Sequence, residues 1–280
     1  MGTLFTLTFY CHQDTVAHEM ARGAFDRIDS LNHIFSDYAL DSEVGRLSKY
    51  PTINQYYGVS STLYDLIQIS LDLSRRTDGA FDVTLGQLTK LWRRAIRRNE
   101  LPAKQAVEQA LSQSGFKAIM LDPKRKAVSF DRMGVKLDFG GIAKGFAADE
   151  VIRFFTDRDI DRCMIDAGGD IVAGNRPPGK DGWIIQLSEG GGSVSRILLE
   201  NGAIASSGDT YQYLEFDGVR YSHIVDPKTG YGIQNGSEVF IKAPKGYLAD
   251  ALASACSVLD PADCDEILSR FREASLINPN

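Results

Sequence analysis

From its first residues the chain alternates apolar and polar side chains. Residues 4–11, LFTLTFYC, have the two-residue period of a half-buried strand. The period then lengthens. Val16, Met20, Ala24, Ile28, Leu31 and Phe35 recur at steps of three and four, which predicts a long amphipathic helix. It runs into a polar loop where Ser42–Glu43 starts a short helix and where Tyr38 stands without a periodic reason. That ring either caps the core or stacks on a planar ligand. A second helix is predicted over 62–76, with Leu63, Leu66, Ile67, Ser70 and Leu73 on one face and Thr77-Asp78-Gly79 closing it. Residues 80–84 lead through Gly86 into a helical stretch with Trp92, and 102–114 read as a short exposed helix. Residues 119–121 and 127–130 make a hairpin about Asp122-Pro123-Lys124.

Residues 135–150, VKLDFGGIAKGFAADE, read as a short strand, a Gly140-Gly141 turn and a helix start. From 162 onward short strands meet at glycine, proline and asparagine turns, with Gly168-Gly169 a sharp turn and 190–193 a hairpin tip. Helices grouped before and after these strands predict an α+β fold with an antiparallel sheet rather than a doubly wound one. There is no internal repeat and no linker, so one cooperative unit over 1–280, built as one large domain or two intimately packed lobes, is expected.

Charge narrows the partners. A net charge of -6 and a pI near 5.3 argue against a nucleic-acid or anionic-membrane binder, so any anionic ligand is held locally. The basic run Arg93, Arg94, Arg97, Arg98 is expected to be a solvated helix face. Cys11, Cys163, Cys256 and Cys264 form no CxxC pair, so buried free thiols are expected unless the fold brings Cys256 and Cys264 together. No run of about 18 apolar residues spans a membrane, and no signal peptide is present.

The candidate chemistry sits in three places. The turn at 140–141, with Asp138 before it and Lys144 inside the first helical turn, converges N–H groups and dipole on an anion or serves only close packing. In the small-residue helix around ADALASA, Asp250 and Ser254 share one face at i and i+4. Asp250 reads either as a carboxylate hydrogen-bonded to a nearby Lys or turn, or, with Ser254, as one of two oxygen ligands for Mg²⁺ or Ca²⁺. His223 ends a strand beside a turn on Asp226, Pro227 and Gly230, as a structural residue or a catalyst.

Taken together, these pieces resemble the FAD:protein FMN transferase (ApbE) family. The likeness runs in order through MGT at the start, Tyr38 with DSE following, DGAFDVT at 78–84, LDFGGIAKGFAAD at 137–149 and DAGGDI at 166–171. It continues through SSGD at 206–209, SHIVDPKTG at 222–230 and ADALASA at 249–255. The resemblance implies an ApbE-like fold and a Mg²⁺-dependent enzyme. Such an enzyme splits FAD, attaches FMN to a Ser or Thr of an acceptor protein and releases AMP. It also implies that Met1, Tyr38, Ala80, Phe81, Asp82, Asp138, Lys144 and Ile224 contact FAD. Gly141, Asp250 and Ser254 would hold the metal, with His223 as base. Ser254 stands where Thr is usual, Ala253 lacks a carboxylate some members carry, and Ser48 replaces an Asn common in the loop near the flavin. Some members hydrolyse FAD to FMN and AMP instead, and a non-catalytic FAD-binding protein is the other alternative. Family members are often exported, many as lipoproteins. A cell-envelope or periplasmic setting is therefore expected, with a leader trimmed from the precursor and the cytoplasm left open.

Overall fold

The computed structural model describes residues 2–49, 52–188, 194–208, 212–234 and 238–278. The first half is mainly helical: β1 (Phe5–Phe9), α1 (Asp14–Phe35), α2 (Glu43–Leu47), β2 (Tyr57–Gly58), α3 (Ser61–Arg76), α4 (Gly86–Arg98) and α5 (Lys104–Ser112). The hairpin β3 (Ile119–Asp122) and β4 (Ala127–Phe130) leads to α6 (Ala143–Thr156). Strands then dominate: β5 (Cys163–Ala167), β6 (Asp170–Ala173), β7 (Trp183–Ser188), β8 (Val194–Leu199), β9 (Gly202–Ser207), β10 (Tyr213–Phe216), β11 (Val219–Ser222) and β12 (Val239–Ala243). The helices α7 (Gly246–Ser257) and α8 (Pro261–Ser269) and the strand β13 (Ser275–Ile277) close the order.

The main sheet runs β1-β5-β6-β9-β12-β13, every neighbouring pair antiparallel, as the α+β reading expects. Its strands alternate, and both faces are covered. Ile165, Ala167, Val172, Ala203, Ala205 and Ile241 join the large core under α6 and α7, whereas Ile171, Ala173, Ile204 and Phe240 pack against the β7–β8 ribbon through Trp183, Ile185 and Leu199. Gly168 and Gly169 both take positive φ in the β5–β6 turn, conformations that L side chains resist. A separate cluster gathers around Trp92 of α4, with Leu85, Leu88, Val107, Leu214 and Val225.

The structure departs from the sequence reading in three elements. The buried stripe of α1 starts at Ala24, so Val16 is 37% exposed. Beside Ala24, the missing side chain of Gly23 leaves room for the Phe154 ring. Residues 135–138 are extended but not a strand. Among the described residues their backbone pairing is to the chain entering α4, through Asp138 N–H to Val83 O (2.8 Å) and Gly86 N–H to Lys136 O (3.1 Å). Cys256 and Cys264 are joined in a disulfide with Cα atoms 5.1 Å apart, because the start of α8 folds back on the end of α7. Cys11 and Cys163 are free. The expected tip at 190–193 lies outside the described residues.

Candidate active site

The site begins where α6 and α7 cross. Their backbones meet at Gly145 and Gly246, where a Cβ on either would run into the other's carbonyl. Neither helix has a side-chain cap of its own; each is capped by the other. Asp149 of α6 accepts the first N–H groups of α7, from Gly246 (2.9 Å) and Tyr247 (3.0 Å), and Asp250 of α7 accepts the Gly145 N–H (3.1 Å). Both carboxylates thereby satisfy N–H groups that a helix start leaves orphaned, at its positive end. The small-residue faces make this approach possible. Gly141 lies against Ser254 for the same reason: a Cβ there would sit 2.5 Å from Ser254 Oγ.

Lys144 reaches into this junction, its Nζ 2.7 Å from Asp170 Oδ2 and 3.2 Å from Asp250 Oδ1. Both carboxylate side chains are 3% exposed. Burial opposes the charge on Lys144, but Asp170 and Asp250 together hold its pKa above the ordinary lysine value. Burial, with the Asp250 charge adding, pushes Asp170 up to about 7 against the pull of Lys144. Two buried carboxylates share one ammonium, so with both ionised the junction is one positive charge short.

The opposite wall is looser and more open. Tyr38, 67% exposed, lies with the Arg93 guanidinium 4.5 Å from its ring centre. Arg93 bonds Asp37 (2.6 Å) and Asp138 (2.5 Å), and Asp138 also accepts Thr89 Oγ (2.6 Å) and the Gly140 N–H (2.8 Å). Arg93 therefore leaves the solvated face on which the sequence placed it, while Arg94, Arg97 and Arg98 stay exposed. Ala80 and Phe81 are buried. Asp82 is bound by the Thr84 N–H and hydroxyl and by the Phe116 N–H, and burial raises its pKa. His223 follows β11, its Nδ1 3.1 Å from the Gln212 carbonyl. A carbonyl only accepts, so Nδ1 carries a proton.

One cleft of about 490 Å³ is lined by both walls: Tyr38, Ala80, Phe81, Asp82, Asp138, Gly141, Lys144, His223, Ile224, Asp250 and Ser254 all border it. Met1 and Asp209 lie outside the described residues. Ser48 does not border the cleft; its Oγ accepts the Leu137 N–H at 3.4 Å.

Residues 1–277 match the model of the ApbE family. The chain belongs to that family. It is 32% identical over 231 residues to a FAD:protein FMN transferase of Treponema pallidum, a stretch covering 76% of this chain and 64% of that protein. The fold matches an ApbE crystal structure from Thermotoga maritima with a TM-score of 0.87 and 32% identity, covering 98% of this chain and 90% of the other. It matches a flavin transferase ApbE from Vibrio cholerae with a TM-score of 0.89 and 25% identity, covering 99% and 90%.

Within this ApbE chain, three residues that sequence reasoning gave no role stand at the site: Arg93, Asp149 and Asp170. Asp149 closes one of the quoted motifs and Asp170 stands next to last in another. A carboxylate following the apolar Ala147-Ala148 pair, or opening a buried strand, was the signal available. Arg93 offered a weaker one, its adjacency to the core residue Trp92.

Proposed function

We propose that this chain cleaves FAD and transfers FMN to a Ser or Thr hydroxyl of an acceptor protein, releasing AMP, with Mg²⁺ at the face formed by Gly141, Asp250 and Ser254. The names of the relatives supply the activity. What carries it to this chain is the meeting, in one cleft of cofactor size, of a ring platform, a buried lysine–carboxylate junction and an imidazole. Tyr38, Ala80, Phe81, Asp82, Asp138, Lys144 and Ile224 form the FAD-binding wall in this reading.

The donor set fits a hard cation: a carboxylate, a hydroxyl and a carbonyl, all oxygen, beside a junction short of one positive charge. So few protein oxygens suit an ion that is partly held by substrate phosphates. Bound there, Mg²⁺ supplies Lewis-acid neutralisation of the pyrophosphate oxygens. Lys144 is already offset by Asp170 and Asp250, so its part is to hold those carboxylates in place at the start of α6. His223 Nε2 takes the acceptor hydroxyl's proton as that oxygen bonds to the FMN phosphorus and the P–O bond to AMP breaks.

The large core cluster, which runs from Phe5 to Phe271, supports one cooperative domain. The Cys256–Cys264 disulfide supports an oxidising setting such as the cell envelope. Among the described residues no helix is long and apolar enough to cross a membrane.

The test is incubation with FAD, Mg²⁺ and an acceptor protein, read as AMP release and as flavin fluorescence that survives denaturation on the acceptor. Both signals together are expected. AMP with only free FMN would make the chain an FAD pyrophosphatase, and intact bound FAD would make it a carrier.

A further inference from the structure

Arg93 is the one arginine of its run that turns inward, and it does so with three partners at once. Its root is fixed. The preceding Trp92 is fully buried, donates from Nε1 to Gly230 O at 2.8 Å and stacks on Tyr221 at 5.5 Å. From there the guanidinium reaches two segments far apart in sequence. Nη1 binds Asp37, next to Tyr38, and Nη2 binds Asp138, whose other oxygen holds the Gly140 N–H of the glycine turn. The planar fork satisfies two carboxylates while its central carbon sits over the tyrosine ring, and an ammonium cannot do all three.

The consequence is geometric and electrostatic. One face of Tyr38 is backed by the guanidinium while the ring remains largely open to solvent. Asp37 and Asp138 would otherwise place two carboxylates beside a pyrophosphate; burial and the nearby Asp138 charge already raise Asp37, against the pull of Arg93.

We propose that Arg93 is a positioning residue for the dinucleotide: it fixes Tyr38 as the stacking platform for one planar ring, at a set distance from the glycine turn that faces the pyrophosphate. The inference rests on the reading of this cleft as an FAD site.

The experiment is FAD titration by flavin fluorescence, with KM and kcat for AMP release and a melting curve, on wild type, Arg93→Ala, Arg93→Lys, Tyr38→Ala and the Arg93→Ala/Tyr38→Ala pair. Arg93→Ala is expected to raise Kd and KM roughly 10-fold, the loss falling on KM rather than kcat. Arg93→Lys should recover little of it. The double variant should bind about as weakly as either single one, because the two residues act as a unit. Full rescue by Lys, additive effects in the double variant, or equal losses in KM and kcat that follow the melting temperature would overturn the proposal. A wild type that binds FAD tightly with Arg93→Ala binding equally well sinks this inference alone. A wild type without FAD affinity sinks the site reading and the inference with it.

Discussion

The two walls of the cleft are built on opposite plans. The α6–α7 wall is dry and made of backbone: glycine against glycine, each helix start capped by the other's carboxylate, and Lys144 locked between two acids. The Tyr38 wall is made of side chains from distant segments tied together by one arginine, with the Tyr38 ring itself largely open to solvent. A wall that stabilises charge on a reacting phosphate gains from fixed dipoles in a water-poor place. A wall that admits and releases a large planar ligand gains from a surface exposed until the ligand arrives. On the proposed reading the first wall serves phosphate chemistry and the second ring recognition.

The sharpest way to break that assignment is Asp250→Asn. It removes the charge from the proposed metal face and leaves Lys144 paired with Asp170 alone. AMP release is expected to fall on the order of 10³-fold, with FAD still bound through the other wall. Retained activity across a Mg²⁺ titration would move the metal elsewhere.

His223→Ala probes the proposed base. Transfer should slow about 10²-fold or more, the usual worth of a positioned base, while FAD titrates as in wild type. Were FAD affinity to collapse in step with rate, His223 would belong to the recognition wall and not to the chemistry.

The same contrast explains what the sequence disclosed. The dry wall was legible because its requirements are written locally. Close helix approach needs Gly145, Gly246 and the alanines around Asp250, and a glycine turn before a lysine marks a helix start facing an anion. The α+β class was legible for a similar reason, since the period of the apolar pattern survives burial. In the other wall Tyr38 was legible as a ring that caps the core or stacks on a ligand, but the residue that holds it was not. Arg93 and Arg97 share a helix face at i and i+4, and only the adjacency of Arg93 to Trp92 separates them locally. Only the arrival of Asp37 and Asp138, 56 and 45 residues away along the chain, turns one into a clamp and leaves the other in solvent. Asp149 and Asp170 were missed on the same grounds, their partners being long-range. The strand expected at 135–138 failed because its apolar run is buried by the core without a sheet neighbour.

The mildest test concerns how the dry wall is held. Burial, opposed by the N–H groups of Gly246 and Tyr247 and by Lys245, lifts the Asp149 carboxyl from 3.8 to about 6, with Glu150 adding to the rise. A folded-state pKa above the unfolded one means that the folded chain binds the extra proton. The resulting stability is present in full below pH 4 and is lost as pH rises through 6. Asp149→Asn has no such titration. Between pH 4 and 7 wild type should therefore lose about 1–3 kcal/mol relative to Asp149→Asn, a shift of several degrees in the melting-temperature difference for a chain of this size. A difference that stays flat across that window would show that the two N–H bonds hold Asp149 ionised throughout. The mutual capping of α6 and α7 would then outweigh burial, and the phosphate wall would owe its rigidity to charge rather than to close packing.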